Sequence, residues 1–378
     1  MKFVIRKSEM LFFLSYGIFL FAKIIDHTYF EFSDIYKFPL ILFSMAIMIK
    51  KILTCNRYSK ANLTILVIVL LLFTIAMVNS GTYLLVYTIL FIFGAKDIEF
   101  DKILHIFIYI ASVLIVITII CFLCGLISES TTTRNGIVRH SLGYTYPTDL
   151  AAMFVYIFLA DLYLAVKHNY KIIVRCLLYT IVALLVWHVC DARLGSVTIL
   201  LFVPMAIFMK KYKRWNDNRV LNFFVKYSFF ICSGLMFLVT HMYFWQPKCK
   251  LLLAVDSLLS YRLTFNCQAV KSFGYSWFGQ DIYDIYFKTN TKYFFIDSSY
   301  YILLIQYGFI VFMLIGLGFL IIVKREIGKK EYYIPFILMI ISINSLIGQQ
   351  LFLLEYNPFL LLLFADTRDR YSTDKAVN

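Results

Sequence analysis

Charge is what this sequence has little of, and acidic charge least. Of 378 residues only 15% are charged, with 22 Asp and Glu against 36 Lys and Arg, while 61% are hydrophobic and 19% aromatic. A soluble domain of this length cannot hide so much apolar surface, which excludes a soluble enzyme or binding module and indicates a polytopic membrane protein. The formal net charge of +14 would suit nucleic acid in a soluble chain. In a membrane chain it is the lysines and arginines that hold loops in the cytoplasm, so no nucleic-acid partner is expected.

Other absences narrow the chemistry. There is no cluster with recognisable metal-ligand spacing and no Asp-x-Asp pair of the kind nucleotide-sugar transferases use, so neither a metal nor another cofactor is expected. Cys121 and Cys124 share one apolar run and read as packing residues. No small-x-small cleavage site follows the run from Met10 to Ala22; Lys23, Asp26 and His27 come instead. Behind Lys2, Arg6 and Lys7 this is an uncleaved first span. No internal repeat, low-complexity tract or soluble domain stands out, so residues 1–378 read as a single integral membrane domain.

About twenty apolar residues cross a bilayer. Spans are expected near 10–25, 36–49, 63–78, 82–95, 103–127, 149–166, 172–189, 194–209, 220–244, 298–323, 332–347 and 350–365. Charge supports the hairpins. Merging 63–95 into one crossing would put the basic run Lys210-Lys211-Lys213-Arg214-Arg219 outside, against the positive-inside bias. Merging 172–209 would bury Asp191 and Arg193 at mid-membrane, at roughly 2.5–3.5 kcal/mol each. The expected fold is an all-α polytopic membrane protein with about twelve transmembrane helices and both termini cytoplasmic. One large extracytoplasmic loop, 245–297, precedes the tenth helix. It is too long for a passive connection, and its aromatic residues (Tyr261, Phe265, Phe273, Tyr275, Trp277, Phe278) suggest amphipathic helices on the membrane surface.

That topology puts four arginines on the outer face: Arg134, Arg139, Arg193 and Arg262. Guanidinium grips phosphate or carboxylate through a planar fork of donors and stays charged in a half-dry site. Arg139, Arg193 and Arg262 come from three loops, which suits an anionic substrate anchored in lipid. Each has a plainer reading. Arg139 could pair with Asp149 or a lipid headgroup, Arg193 could bridge to Asp191, and Arg262 could be a surface charge on a loop helix. Arg134 lies in a Ser/Thr-rich run that reads as solvated loop. A general base would complete a group-transfer site, from Asp149, Asp191, Asp256, Asp297 or His140. Asp297 stands where the large loop re-enters the membrane; near so much positive charge it would stay ionised but be a weak base, and it could equally cap the next helix. Histidine is intrinsically the more basic. Cys249 and Cys267 share the outer loop, where an oxidising compartment would permit a bridge.

Four stretches resemble one family, the Wzy-type polymerases of bacterial O-antigen and capsular polysaccharide, in a superfamily that also holds the O-antigen ligases. Arg139-His140-Ser141-Leu142-Gly143-Tyr144-Thr145-Tyr146-Pro147 is similar to the family's Arg-x-Ser-Leu-Gly-Phe-x-His-Pro-Asn. Asp191-Ala192-Arg193-Leu194-Gly195-Ser196 resembles its Ser/Thr-x-Ser-Arg hairpin. Asp256 to Phe278, with Tyr261-Arg262-Leu263 and ending Trp277-Phe278-Gly279, resembles its Asp-x-x-Leu-x-x-Arg-Leu segment running to a glycine. Asp297-Ser298-Ser299-Tyr300 with Gln306-Tyr307-Gly308 resembles Asp-Asn-x-Tyr followed by Tyr-Gly. The likeness covers roughly residues 60 to 365. Tyr146 stands in place of histidine, and Thr148 and Ser298 in place of asparagine.

The resemblance implies transfer of a growing glycan from undecaprenyl pyrophosphate to the non-reducing end of a new lipid-linked unit, on the outer face of the bacterial inner membrane. Its partners would be the lipid-linked oligosaccharide, membrane lipids, a chain-length regulator and a flippase. Arg139, Arg193 and Arg262, with Tyr146 and Tyr300, would bind substrate. The related ligases carry a histidine at the position of Asp297, which makes Asp297 the first choice for base and His140 the second. The rival readings are a flippase for the same lipid-linked unit, which should carry charges inside its helices and two related halves, an O-antigen ligase, and a structural or sensory membrane protein.

Overall fold

Runs of Leu, Ile, Val and Phe long enough to cross a bilayer form helices. The computed structural model describes residues 6–31, 34–56, 58–134, 136–211, 218–282 and 295–368. Lys2, Lys213, Arg214 and residues 283–294 of the large loop lie outside these. The helices are α1 Lys7–Asp26, α2 Asp34–Cys55, α3 Lys60–Ser80, α4 Leu84–Gly94, α5 Phe100–Leu123, α6 Pro147–Lys167, α7 Ile172–Cys190, α8 Arg193–Lys211, α9 Arg219–Lys226, α10 Ser228–Trp245, α11 Lys250–Leu258, α12 Arg262–Phe273, α13 Ser299–Tyr301, α14 Phe309–Gly328 and α15 Tyr333–Asn344. A hairpin of β1 Thr132–Arg134 and β2 Ile137–Arg139 is the one sheet among the described residues.

Among the described residues, seven helices are long and apolar enough to cross a membrane: α1, most of α2 and α3, α5, α6, α7 and α10. On α7, Ile173, Leu177, Ile181, Leu184 and Leu185 stand exposed, a continuous apolar face that water would not tolerate and lipid would. The chain is an all-α multi-pass membrane protein.

Within the single domain expected from sequence, the chain falls into two compact units. The first comprises Met1–Arg57, Leu90–Lys213 and Leu354–Asn378, the second Tyr58–Ile89 and Arg214–Leu353. The first is built on α6, whose most apolar stretch is 83% buried. It packs against α5, α7 and α8, and α5 packs in turn on α1, beside α2. Polar groups collect at the two ends of this bundle. Where α5 begins and α6 finishes, Asp101 holds Lys167 at 2.8 Å and His168 at 2.7 Å. At the other end, where α1 finishes and α6 begins, His27 meets Asp149 and Glu355.

The expected final span at 350–365 is not an α-helix. Residues Gln350–Phe352 and Pro358–Leu363 are 3₁₀ turns. Pro358 has no N–H to give a ladder, and the Asn357 side chain caps the second turn by accepting from Phe359 N at 3.2 Å. Even so, the segment runs the length of α6: Glu355 lies beside His27 at one end, and Lys167 Nζ donates to Thr367 O at the other. Backbone bonds between Asp366 and Ile98 and Phe100 fix that second end. A 3₁₀ or extended chain advances about 2.0–3.3 Å per residue against about 1.5 Å in an α-helix, so fewer residues suffice.

In the second unit α10 packs on α12 and α15, and α14 on α15 and α3. Two expected spans are interrupted. The 220–244 run divides at Tyr227 into α9 and α10. The 298–323 run divides at Tyr307-Gly308, because α13 continues as a π-turn over Ile302–Gln306 and then stops. The stop is made by a backbone crossing. Phe309 N donates to Ser276 O, Ile310 N to Trp277 O, and Gln280 N to Gln306 O. Gly279 and Gly308, at φ +86° and +93°, meet at the crossing; a Cβ on Gly279 would sit 2.5 Å from Gln306 O, and one on Gly308 closer still to Gly279 N. Only glycine fits either position. The large loop does contain helices, α11 and α12, with Leu251, Leu258 and Trp277 exposed.

Candidate functional site

The C-terminal end of α7 gathers Arg134, Arg139 and Arg193. Asp191 ends that helix in the left-handed region at φ +42°, a conformation that Asp tolerates better than most residues. The carbonyls of the last turn then need donors. Arg139 Nε donates to Cys190 O at 3.0 Å, Arg134 Nη2 to Asp191 O at 3.2 Å, and His140 N to Val189 O at 3.0 Å. Arg193, which opens α8, donates from Nε to Asp191 Oδ1 at 2.8 Å. Arg134 Nη2 also lies 2.9 Å from Asp191 Oδ2, out of line for a hydrogen bond, so that contact is ionic. The hairpin places the first two guanidiniums, with Arg134 opposite Ile137 and Arg139 opposite Thr132.

Three guanidiniums around one carboxylate leave positive charge in excess. Burial, and after it the neighbouring charge of Arg134, push the Arg139 guanidinium down from its ordinary value, with Asp191 opposing. Arg193 is nearly half exposed. Each guanidinium has five N–H donors, and those not engaged here can meet an anion.

Beside this cluster His140 Nδ1 lies 2.6 Å from Glu129 Oε1. Glu129 is itself fixed, since its Oε2 accepts from Ser141 N at 3.1 Å and Leu142 N at 3.0 Å. The carboxylate side chain is 12% exposed and the imidazole 46%. With Nδ1–H donating to Glu129, the lone pair of a neutral imidazole lies on Nε2. That is the arrangement of a base held by a buried acid. The turn that follows needs Gly143, at φ +88°, where a Cβ would strike Ile127 and Thr118. Tyr146 and Pro147 then start α6, with the Tyr146 ring exposed.

Arg262, Asp297 and Tyr300 belong to the second unit. Arg262 is largely buried and fastened to the protein: Nε donates to Ile347 O at 2.7 Å, Nη1 to Leu259 O at 2.9 Å, and Nη2 lies 3.4 Å from Asp297 Oδ2. These contacts tie α12 to the 345–349 turn through Arg262, which was expected to bind substrate. Asp297, the first choice for base, faces that guanidinium. Tyr300, expected to bind substrate, is fully buried and its hydroxyl donates to Ser342 O at 2.7 Å. Asp256, another candidate base, caps α12 instead, accepting from Leu263 N, Thr264 N and Thr264 Oγ1. Cys249 and Cys267 are free thiols rather than a bridge. The Cys267 thiol, which burial pushes up to about 11, donates to Thr240 O.

Sequence reasoning missed three things. Glu129 was not singled out, since nothing local ties it to His140 eleven residues on. Arg134 was set aside for its Ser/Thr surroundings. A third group, His27 with Asp149 Oδ2 at 3.8 Å and Glu355 Oε1 at 3.5 Å, joins the ends of α1 and α6 to the C-terminal segment. A lone acid in the apolar run around Glu355 was the available signal, because such residues are costly in membranes. Comparison with protein-family models, with curated proteins and with solved structures found no match to this chain.

Proposed function

We propose that this chain is a Wzy-type polysaccharide polymerase, joining oligosaccharide units carried on undecaprenyl pyrophosphate at the outer face of a bacterial inner membrane. One observation carries the reading: Arg134 and Arg193 pair with Asp191 and Arg139 holds the adjoining Cys190 carbonyl, next to a half-exposed His140 held by Glu129. An excess of guanidinium suits a pyrophosphate leaving group, and a neutral imidazole suits an acceptor hydroxyl.

In the reaction, His140 Nε2 takes the proton of the acceptor hydroxyl on the new unit. The oxygen bonds to the anomeric carbon of the growing chain as the bond from that carbon to pyrophosphate breaks. Undecaprenyl pyrophosphate leaves with the electron pair, and the arginines stabilise its charge as it develops. His140 then gives the proton to bulk water, which restores the base. Two lipid-anchored reactants held at one surface supply proximity. His140 replaces Asp297 as the preferred base, because Asp297 faces Arg262 while Nε2 of His140 makes no hydrogen bond among the described residues.

The accompanying topology has about twelve crossings, counting the 3₁₀ segment and the shorter apolar helices, with both termini cytoplasmic. The test is deletion of the gene and complementation. The polymerase reading expects single repeat units on the acceptor in the deletion and a ladder on complementation. Loss of even the single unit would indicate a flippase or ligase.

A further inference from the structure

The π-turn in the second unit borders a cavity of about 160 Å³ that the reading above does not use. Its polar lining residues, Ser299, Gln306, Tyr307 and Gln349, are uncharged. Its apolar lining includes Leu84, Leu303 and Phe352.

Gln306 is the informative residue. It is 7% exposed, and its side-chain amide makes no hydrogen bond among the described residues. A buried amide with neither donor nor acceptor used calls for a partner. The Ser299 hydroxyl does not supply one, since it donates to Gly348 O and accepts from Leu351 N. The backbone around Gln306 is fixed. Its carbonyl accepts from Gln280 N at 3.0 Å, and the crossing of Gly279 and Gly308 ends the turn one residue further on. A π-turn widens the helix and turns its side chains off the regular α-helical face, and such turns recur at binding sites.

The lining selects a class of ligand. A phosphate or carboxylate would find no cation among these residues, and a purely apolar group would leave the amide unmet. A ring with hydroxyls on its edge and C–H groups on its faces satisfies both, with amide N–H and C=O meeting hydroxyls and Phe352 and Leu303 meeting the ring face. The volume is on the order of five water molecules, room for one ring and little more. We propose that this cavity binds a single neutral pyranose of the glycan, as a sugar subsite separate from the arginine cluster. The identification of that pyranose as part of the glycan rests on the polymerase reading; the preference for a neutral hydroxylated ring does not.

The experiment is saturation-transfer NMR on the full chain in detergent micelles, with the methyl pyranosides of glucose, galactose, mannose and N-acetylglucosamine as probes and no lipid-linked donor. At least one should show transfer that inorganic pyrophosphate does not displace. Q306L should abolish it, and Leu84→Phe, which narrows the cavity from another element, should weaken it severalfold. R139A should leave it unchanged. Gel filtration confirms that each variant is folded, and the Leu84 variant answers the question if Q306L is not. Transfer that persists in both cavity variants, or none from any pyranoside to the wild type, overturns the proposal and leaves a water-filled cavity. Sugar binding with no polymerase activity would fault the polymerase reading alone.

Discussion

The 2.6 Å contact between His140 Nδ1 and Glu129 Oε1 links a half-exposed imidazole to a carboxylate that two backbone N–H groups already hold. The acid fixes the tautomer and the ring's orientation together, as in other carboxylate–histidine pairs. If the imidazole is the base, H140A should lower the polymerisation rate by about 10²–10⁴-fold. E129Q can still accept from the Ser141 and Leu142 N–H groups but no longer holds the tautomer by charge. It should lower kcat at least about tenfold with KM little changed. A matching fall in protein level for E129Q would instead assign Glu129 to the loop's folding.

The three arginines have both a structural and an electrostatic part. Arg139→Ala removes a charged donor from the end of α7, at about 1–2 kcal/mol, and removes positive charge from the site. Arg139→Lys keeps the charge but not the fork. R139A and R193A should each abolish long chains at unchanged membrane level, with R139K partly active. A normal ladder from either alanine variant removes that arginine from the mechanism.

Gly308→Ala tests the crossing that ends the π-turn. A Cβ there meets the backbone of Trp277, Phe278 and Gly279 rather than a side chain that could move aside. With the positive φ this should destabilise by about 3 kcal/mol or more. The expected result is loss of the monodisperse peak in gel filtration, whereas Gly318→Ala, with open space around it, should be neutral. Equal behaviour of the two variants would mean the crossing is not as tight as described.

His27 makes stability depend on pH. Burial would lower its value, but the close carboxylates of Glu355, at 3.5 Å, and Asp149, at 3.8 Å, outweigh that and raise it. A raised folded value means that the protonated imidazole contributes its full stability below about pH 6.5, the unfolded value. The contribution is lost as pH rises through the folded one. The melting temperature in detergent should therefore fall as pH rises above about 6.5, and fall less in His27→Gln. The same slope in both proteins would show that another group is responsible.

Much of the fold was legible because lipid imposes long apolar helices, and α1, α5, α6 and α7 follow their hydropathy closely. The interruptions were not. The break at Gly308 depends on a distant backbone at 276–280, and the 3₁₀ path of 350–363 on its packing along α6, neither of which leaves a local signature. At the site, Arg139 and Arg193 stood out by composition. The roles of Glu129 and Arg134 arise only when the β-hairpin folds onto the end of α7. Tyr300 and Arg262 carried the right chemistry for a ligand, but the fold uses their polar atoms itself.

The central claim is tested most directly with the purified chain in liposomes, supplied with one synthetic polyprenyl-pyrophosphate-linked repeat unit. The wild type should extend the glycan and release one polyprenyl pyrophosphate for each new linkage, while H140A and R139A, equally folded, should do neither. No extension by the wild type, or equal extension by both variants, would contradict the assignment of this site.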